Sequence, residues 1–320
     1  MASVINTNNA SLVAQRNLSN SQTSLTTSVQ RLSSGLRINS SKDDAAGLGI
    51  SQKLSAQITG ANISVRNAND AISMVSTAEG GLQEVSSMLQ RMRELATQGN
   101  NDSLSTAQMG YIGTEVNSLR DEINKVATRT TFNGKTLLDG SQSAAGTVMF
   151  QTGTAATDTV DISSLLVNTK ISTDSTASTG LTNTDSTVSQ TSTGAASTLG
   201  GLMTLLGTAI DNASGTSVTT AATAPTSAKY GLLTTAVDDA IGAVATARSN
   251  LGATSNRLDH NIANLQSQSE NLTASKSRIT DTDYAAETAQ LSRNQVMQQA
   301  ATAMLSQANQ MPNAVLSLLK

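Results

Sequence analysis

The residues able to do chemistry are few and scattered. His260 is the only histidine, with Asp259 and Glu270 near it, and the chain has no cysteine. No second His or Cys completes a transition-metal site, so His260 reads as a solvated helix residue. Asp281 and Asp283 flank Thr282, yet the bidentate Glu that closes an EF-hand loop is missing, and a helix-start cap is the better reading. Gly47-Leu48-Gly49 lacks the Gly-Lys-Ser/Thr that would make it a phosphate loop and reads as a bend. Met297, Met304 and Met311 recur at heptad spacing, which favours helix packing over soft-metal binding. Residues 141–228 contain no His, Cys or Glu, so the usual acid–base pairs are absent from the stretch least like the rest. The residues point to no catalytic, cofactor or metal site.

Composition narrows the class further. Of 320 residues 2% are aromatic and 13% charged, while 38% are hydrophobic and the net charge is −3. Such a chain buries aliphatic and alanine surface between closely packed helices more readily than it builds a ring-lined pocket. No basic block exists to neutralise phosphates, which argues against nucleic acid as a partner. No stretch approaches the ~20 apolar residues of a membrane helix. The start, MASVINTNNASLVAQRNLSNSQ, lacks a basic segment followed by an apolar run, so a Sec-type leader is not expected.

The elements that must carry the function are long helices. Val237, Val244, Leu251, Leu258, Leu265, Leu272 and Ile279 recur every seven residues, the spacing of a helix that keeps one seam against its partners. Ile58, Val65 and Ile72 form a second row, and Ala68, Val75, Leu82 and Leu89 its companion. A shorter helix is predicted from about Thr106 to Thr128 on Ile112, Val116, Leu119, Ile123 and Val126, after a turn at Gly99-Asn100-Asn101-Asp102. Together these predict a narrow bundle.

Both ends are amphipathic. Leu18, Leu25 and Leu32 keep heptad spacing with Val29 and Leu36 beside them, and Met297/Met304/Met311 lie next to a row of Ala301, Ala308 and Val315. Thin stripes on polar helices are marginal alone, so both termini are expected to order only when neighbours supply a surface. Between the helical parts, β-branched segments predict a hairpin near 147–163, and Ser/Thr/Ala/Gly-rich sequence from about 173 to 227 predicts a small exposed insertion around an apolar patch at 199–210.

In residues 31–51, RLSSGLRINSSKDDAAGLGIS, Asn39, Ser40 and Ser41 are candidate helix caps, with Asp43 and Asp44 in the first turn. This string closely resembles the N-terminal hallmark of bacterial flagellins. So do Leu89–Gln98 and Phe132-Asn133-Gly134, and, at the other end, Arg278–Glu287 and Gln307–Lys320. The likeness covers about the first 165 and the last 90 residues.

The resemblance implies a mainly α fold, with long antiparallel helices in coiled-coil and bundle layers, a small β-hairpin and a short outer insertion. Residues 1–34 and 283–320 would form the innermost terminal coiled coil, called D0. Residues 35–172 and 228–282 would form the next layer, D1, and 173–227 a variable surface-exposed insertion. It implies a non-enzymatic, secreted subunit of an extracellular filament that serves motility. Self-assembly would rest on Leu18, Leu25, Val29, Leu32, Met297, Ala301, Met304, Ala308, Val315, Leu316, Leu318 and Leu319. Flagellar type III export in an unfolded state would account for the missing leader. Implied partners are copies of itself, an export chaperone, the filament cap, hook-associated proteins and, in an infected host, the Toll-like receptor for flagellin. The motif for that receptor matches Gln90, Arg91, Leu95 and Glu115, with Arg120 placed one position beyond the basic residue of some recognised flagellins. Val315, Leu316, Leu318 and Leu319 would meet an intracellular sensor. A hook–filament junction protein of the same helical style is the alternative, and a hydrolase or adhesin on the same frame a more distant one.

Overall fold

The computed structural model of the chain describes residues 8–141, 148–155, 157–162, 168–171, 209–211 and 225–317, the last seven of these by backbone alone. In chain order the elements are α1 (Asn9–Ser34), α2 (Ala45–Gly99), α3 (Thr106–Arg129), β1 (Thr131–Phe132), β2 (Lys135–Thr136), β3 (Met149–Gln151), β4 (Thr159–Asp161), α4 (Ser227–Thr280) and α5 (Tyr284–Ser317). The chain divides into two compact units, Met1–Thr59 with Ser267–Lys320, and Gly60–Gln266.

In the second unit the predicted seams become the core. Val237, Val244, Leu251 and Leu258 on α4 are fully buried, as are Ala68, Leu82 and Leu89 on α2 and Ile123 on α3. The Ile58/Val65/Ile72 row is only half-buried, so the alanine-bearing row faces inward. Small residues there let helix backbones approach, which is how a core with so few aromatic rings closes.

The one fully buried ring in that core is Tyr230, in the first turn of α4. Its hydroxyl donates to the Met109 carbonyl of α3 at 2.6 Å. Its ring lies against Gly99, the last residue of α2, where a Cβ would come within 2.5 Å of ring carbon Cδ1. One side chain thus fastens three helices at one end of the unit. Beside it α3 begins with a capping box: the Ser105 hydroxyl accepts from the Gln108 amide, and Gln108 Oε1 accepts from the Ser105 amide at 2.9 Å.

After α3 a two-residue hairpin turns on Asn133 and Gly134, both at positive φ (50° and 76°), as a type I′ turn requires. The second hairpin pairs Met149 with Asp161, Phe150 with Val160 and Gln151 with Thr159. Phe150 and Val160 pack on Ala68, Ala71 and Leu258. The predicted hairpin is present; Thr147, where it was expected to begin, lies outside the described residues. Of the insertion expected at 173–227, residues 209–211 form a helical turn with Ala209 and Ile210 in the core, and 225–226 lead into α4; the rest lies outside the described residues. The Asp211 carboxylate beside them meets Arg120 at 3.0 Å, and burial pushes its pKa up.

In the first unit α1 ends at Gly35, whose φ of +71° lets the chain leave the helix in the left-handed conformation. The residues at this end of α1 bind the junction between α4 and α5: the Arg37 amide donates to the Thr280 carbonyl at 2.7 Å, and the Thr282 amide to the Gly35 carbonyl at 3.0 Å. Helix α2 is capped by Asp44, which accepts from the Gly47 amide at 2.8 Å, and not by Asn39, Ser40 or Ser41. Those residues form the loop instead, because the Asp43 carboxylate accepts from the Asn39 amide and from both the amide and hydroxyl of Ser40. The Ser40 bonds, then that from Asn39, hold the Asp43 carboxyl below the usual range. Asp283 caps α5 by accepting from the amides of Ala285 and Ala286.

Candidate assembly interface and recognition surface

Helices α1 and α5 lie antiparallel, as four cross-helix contacts show. Asn8 Nδ2 donates to the Ala308 carbonyl at 2.8 Å, and Ser11 Oγ to Asn309 Oδ1 at 2.7 Å. Asn294 Nδ2 donates to Ser28 Oγ at 3.2 Å, and Arg31 approaches Glu287 at 3.9 Å. The buried positions of this seam are small or polar: Ala14, Ser28, Asn294 and Ala308. Leu18, Leu25, Leu32, Leu291, Ala301 and Leu305 flank them, half-buried.

The apolar residues expected to form one stripe per helix are therefore divided between two faces. Leu18, Leu25, Leu32, Ala301 and Ala308 turn toward the seam. Val29, Met297 and Met304 turn outward and are 50%, 54% and 63% exposed. Helix geometry accounts for the split, since Met297 and Met304 lie three residues, or about 60° of rotation, beyond Asn294 and Ala301. Leu12, Val13 and Val296, none of them singled out in the sequence, join the exposed group. Their signal is visible only once the inward row is known. The backbones of Val315 and Leu316 continue α5, while Leu318 and Leu319 lie outside the described residues.

On the second unit, Gln90, Arg91 and Glu115 share an exposed surface. Arg91 makes a fork: Nε and Nη2 donate to Glu115 Oε1 at 3.1 and 2.8 Å, and Nη1 to Glu94 Oε2 at 3.0 Å. These carboxylates, Glu115 first, raise the guanidinium pKa further. The pairs are half-exposed and screened by water, so they orient the side chain more than they stabilise the unit. Leu95 is 3% exposed and lies in the core beneath this surface. Arg120 is turned inward to Asp211 and Asp121. His260 stands exposed on α4, and among the described residues no three His, Asp or Glu side chains converge to hold a metal. No helix among them is long and apolar enough to cross a membrane.

Comparison with known proteins gives this geometry a context. Residues 5–143 match the family model of the bacterial flagellin N-terminal helical region, and residues 234–319 that of the C-terminal helical region. Over all of both chains, the sequence is 36% identical to polar flagellin F of Vibrio parahaemolyticus and 38% identical to flagellin B of Vibrio anguillarum. Among solved structures, a putative flagellar hook-associated protein from Vibrio parahaemolyticus aligns with a TM-score of 0.51 at 18% identity. That alignment covers 75% of this chain and 100% of the other, and it is a likeness of fold.

Proposed function

Because the chain belongs to the bacterial flagellin family, we propose that its paired terminal helices are the contact through which copies of it join into the filament. Flagellins are structural subunits of the extracellular flagellar filament and not enzymes, and that is the role of this chain. The observation that carries the finer reading is the apolar face left outside the α1–α5 seam: Leu12, Val13 and Val29 on one helix, Val296, Met297 and Met304 on the other. Large apolar side chains in water call for partner surfaces, and Met297 and Met304 repeat at heptad spacing as a packed helix requires. An identical subunit offers the same faces, and a head-to-tail contact that does not close on itself generates an open helical polymer.

In this reading residues 1–34 and 283–320 form the inner D0 layer and residues 35–172 and 228–282 form D1, whose core Ala209 and Ile210 join. The polar, small-residue seam supports coupling of terminal ordering to growth, since it buries little area by itself. Export through the flagellar type III pathway, a chaperone that covers the C-terminal helix, and a cap at the growing tip belong to the same proposal. So does recognition by the Toll-like receptor for flagellin through Gln90, Arg91 and Glu115. Leu95 would act there from beneath, by holding the helix surface in place. The fold likeness to a hook-associated protein supports a second reading, the hook–filament junction. A count of copies in sheared filaments separates the two, because a junction protein is scarce.

The decisive experiment is growth on filament seeds, watched by electron microscopy, with the full chain beside a version cut to residues 45–280. Growth of the full chain, with a truncated form that stays helical and monomeric, is expected. A full chain that stays monomeric on fresh seeds with its termini already helical overturns the assembly reading.

A further inference from the structure

The apolar pattern of the terminal pair does not by itself define how α1 and α5 align. Leu18, Leu25 and Leu32 repeat every seven residues, and so do Ala14, Ser21 and Ser28. On α5 the facing rows are Leu291, Gln298 and Leu305, and Asn294, Ala301 and Ala308. Sliding one helix past the other by seven residues, about 10 Å at 1.5 Å per residue, brings each row of α1 onto a nearly equivalent one. Heptad seams with uniform apolar content slip in this way unless a polar contact marks one alignment.

We infer that the buried Ser28–Asn294 hydrogen bond, seconded by Arg31 and Glu287, sets the register of the terminal pair and with it the assembly face; this rests on the filament reading above. The two contacts exclude slips in opposite directions. A slip that brings Ser28 to Ala301 carries Asn294 past the end of α1 and leaves the Ser28 hydroxyl without its donor. The opposite slip gives Asn294 a new hydroxyl at Ser21 but sets Ser28 against Glu287. It also carries Arg31 beyond the first residue of α5, Tyr284, away from Glu287. Either slip breaks the Asn8–Ala308 and Ser11–Asn309 contacts as well, and strains the Arg37–Thr280 and Thr282–Gly35 backbone bonds at the end of the pair, which share in holding the alignment.

Ser28 and Asn294 are 3% and 7% exposed. An unmatched amide or hydroxyl there loses its water without replacement, so a wrong register costs more than the right one gains. Register matters to assembly because Val29 lies on one helix and Met297 and Met304 on the other. A seven-residue slip shifts their axial spacing by two helical turns, so a neighbouring copy meets these side chains at changed positions. Ser28 and Asn294 are positioning residues: they touch each other, and they place the side chains that touch the neighbour.

The chain contains no cysteine, so introduced pairs report one contact each. Full-length S11C/N309C marks the observed register and S11C/T302C the slipped one, read by a short thiol-to-thiol cross-linker in seeded filaments. Adding Ser28→Leu and Asn294→Leu makes the seam more apolar. It is expected to lower cross-linking of the first pair by about fivefold, the discrimination a net hydrogen bond provides, and to raise that of the second. The reversed pair Ser28→Asn with Asn294→Ser is expected to restore the original pattern. Unchanged cross-linking in the leucine variant, or a reversed pair that behaves like the leucine pair, overturns the register role while growth on seeds keeps the filament reading intact. Failure of the parent S11C/N309C chain to grow where the unmodified chain grows overturns the placement of that face. Failure of the unmodified chain overturns the filament reading and the register role with it.

Discussion

The core around Tyr230 and the pair of terminal helices are built from the same kind of heptad, yet they bury opposite things. In the core, Leu82, Leu89, Met92, Leu233 and Val237 are wholly enclosed. In the terminal pair the enclosed residues are Ala14, Ser28, Asn294 and Ala308, and the large side chains Val29, Met297 and Met304 stand in water. The difference teaches that a seven-residue period announces a seam without saying which row closes it, or whether the chain itself supplies the partner. The core encloses large and small side chains alike, whereas the terminal pair encloses only small or polar ones.

The contrast breaks most readily at Tyr230. Tyr230→Ala removes the ring and hydroxyl that fasten α2, α3 and α4, and is expected to cost about 3–5 kcal/mol. Denaturant unfolding of the full chain measures this; a loss under about 1 kcal/mol would mean the pin is dispensable. At the terminal pair the expected effect falls on assembly and not on folding. Met304→Asp should leave the unfolding midpoint of the core in place. It should raise the critical concentration for growth on seeds more than about tenfold, because burying a methionine is worth about 1.5–3 kcal/mol. Equal growth by the aspartate variant would place Met304 outside the contact.

Gly99→Ala tests the core from its other side. Its new Cβ would meet the Tyr230 ring at 2.5 Å, and a shift of packed helices to admit it costs about 1–3 kcal/mol. The smallest effect belongs to Asp43, whose carboxyl is held below its usual range by the Ser40 hydroxyl and amide and the Asn39 amide. A depressed carboxyl contributes stability above its unfolded-state pKa and loses it as pH falls through the folded value. The protection of the Asn39 and Ser40 amides, taken as their exchange rate relative to an unstructured peptide at the same pH, should therefore fall as the medium becomes acid. Asp43→Asn should abolish that dependence; an identical pH profile in the variant would assign it elsewhere.

The sequence was legible where one periodic signal sufficed. The row from Val237 through Leu265 foretold the inward face of α4, and Thr106 to Thr128 nearly bounded α3. Leu272 and Ile279 continue the same period but are only half-buried, because a repeat records helix phase and not the presence of a partner. The cap of α2 was misplaced among Asn39, Ser40 and Ser41, since several side chains in a row can cap and only the turn of the loop selects Asp44. The outward turn of Met297 and Met304 could not be read before Asn294 was known to be buried; a polar residue inside a seam runs against the pattern that defines it. The Arg91 fork was visible as clustered charge, but the pairing with Glu115 crosses from α2 to α3 and has no local signature.

The Tyr230 hydroxyl and its carbonyl partner are 121 positions apart in the chain, and Asn8 and Ala308 are 300 apart. A ribosome delivers the amino end first. The α2–α3 hairpin thus emerges without the ring that locks it, and Asn8 of the segment leading into α1 waits 300 positions for its mate. The order of these contacts along the chain works as a timer: each lock closes only after its first half has waited 121 or 300 positions for its mate.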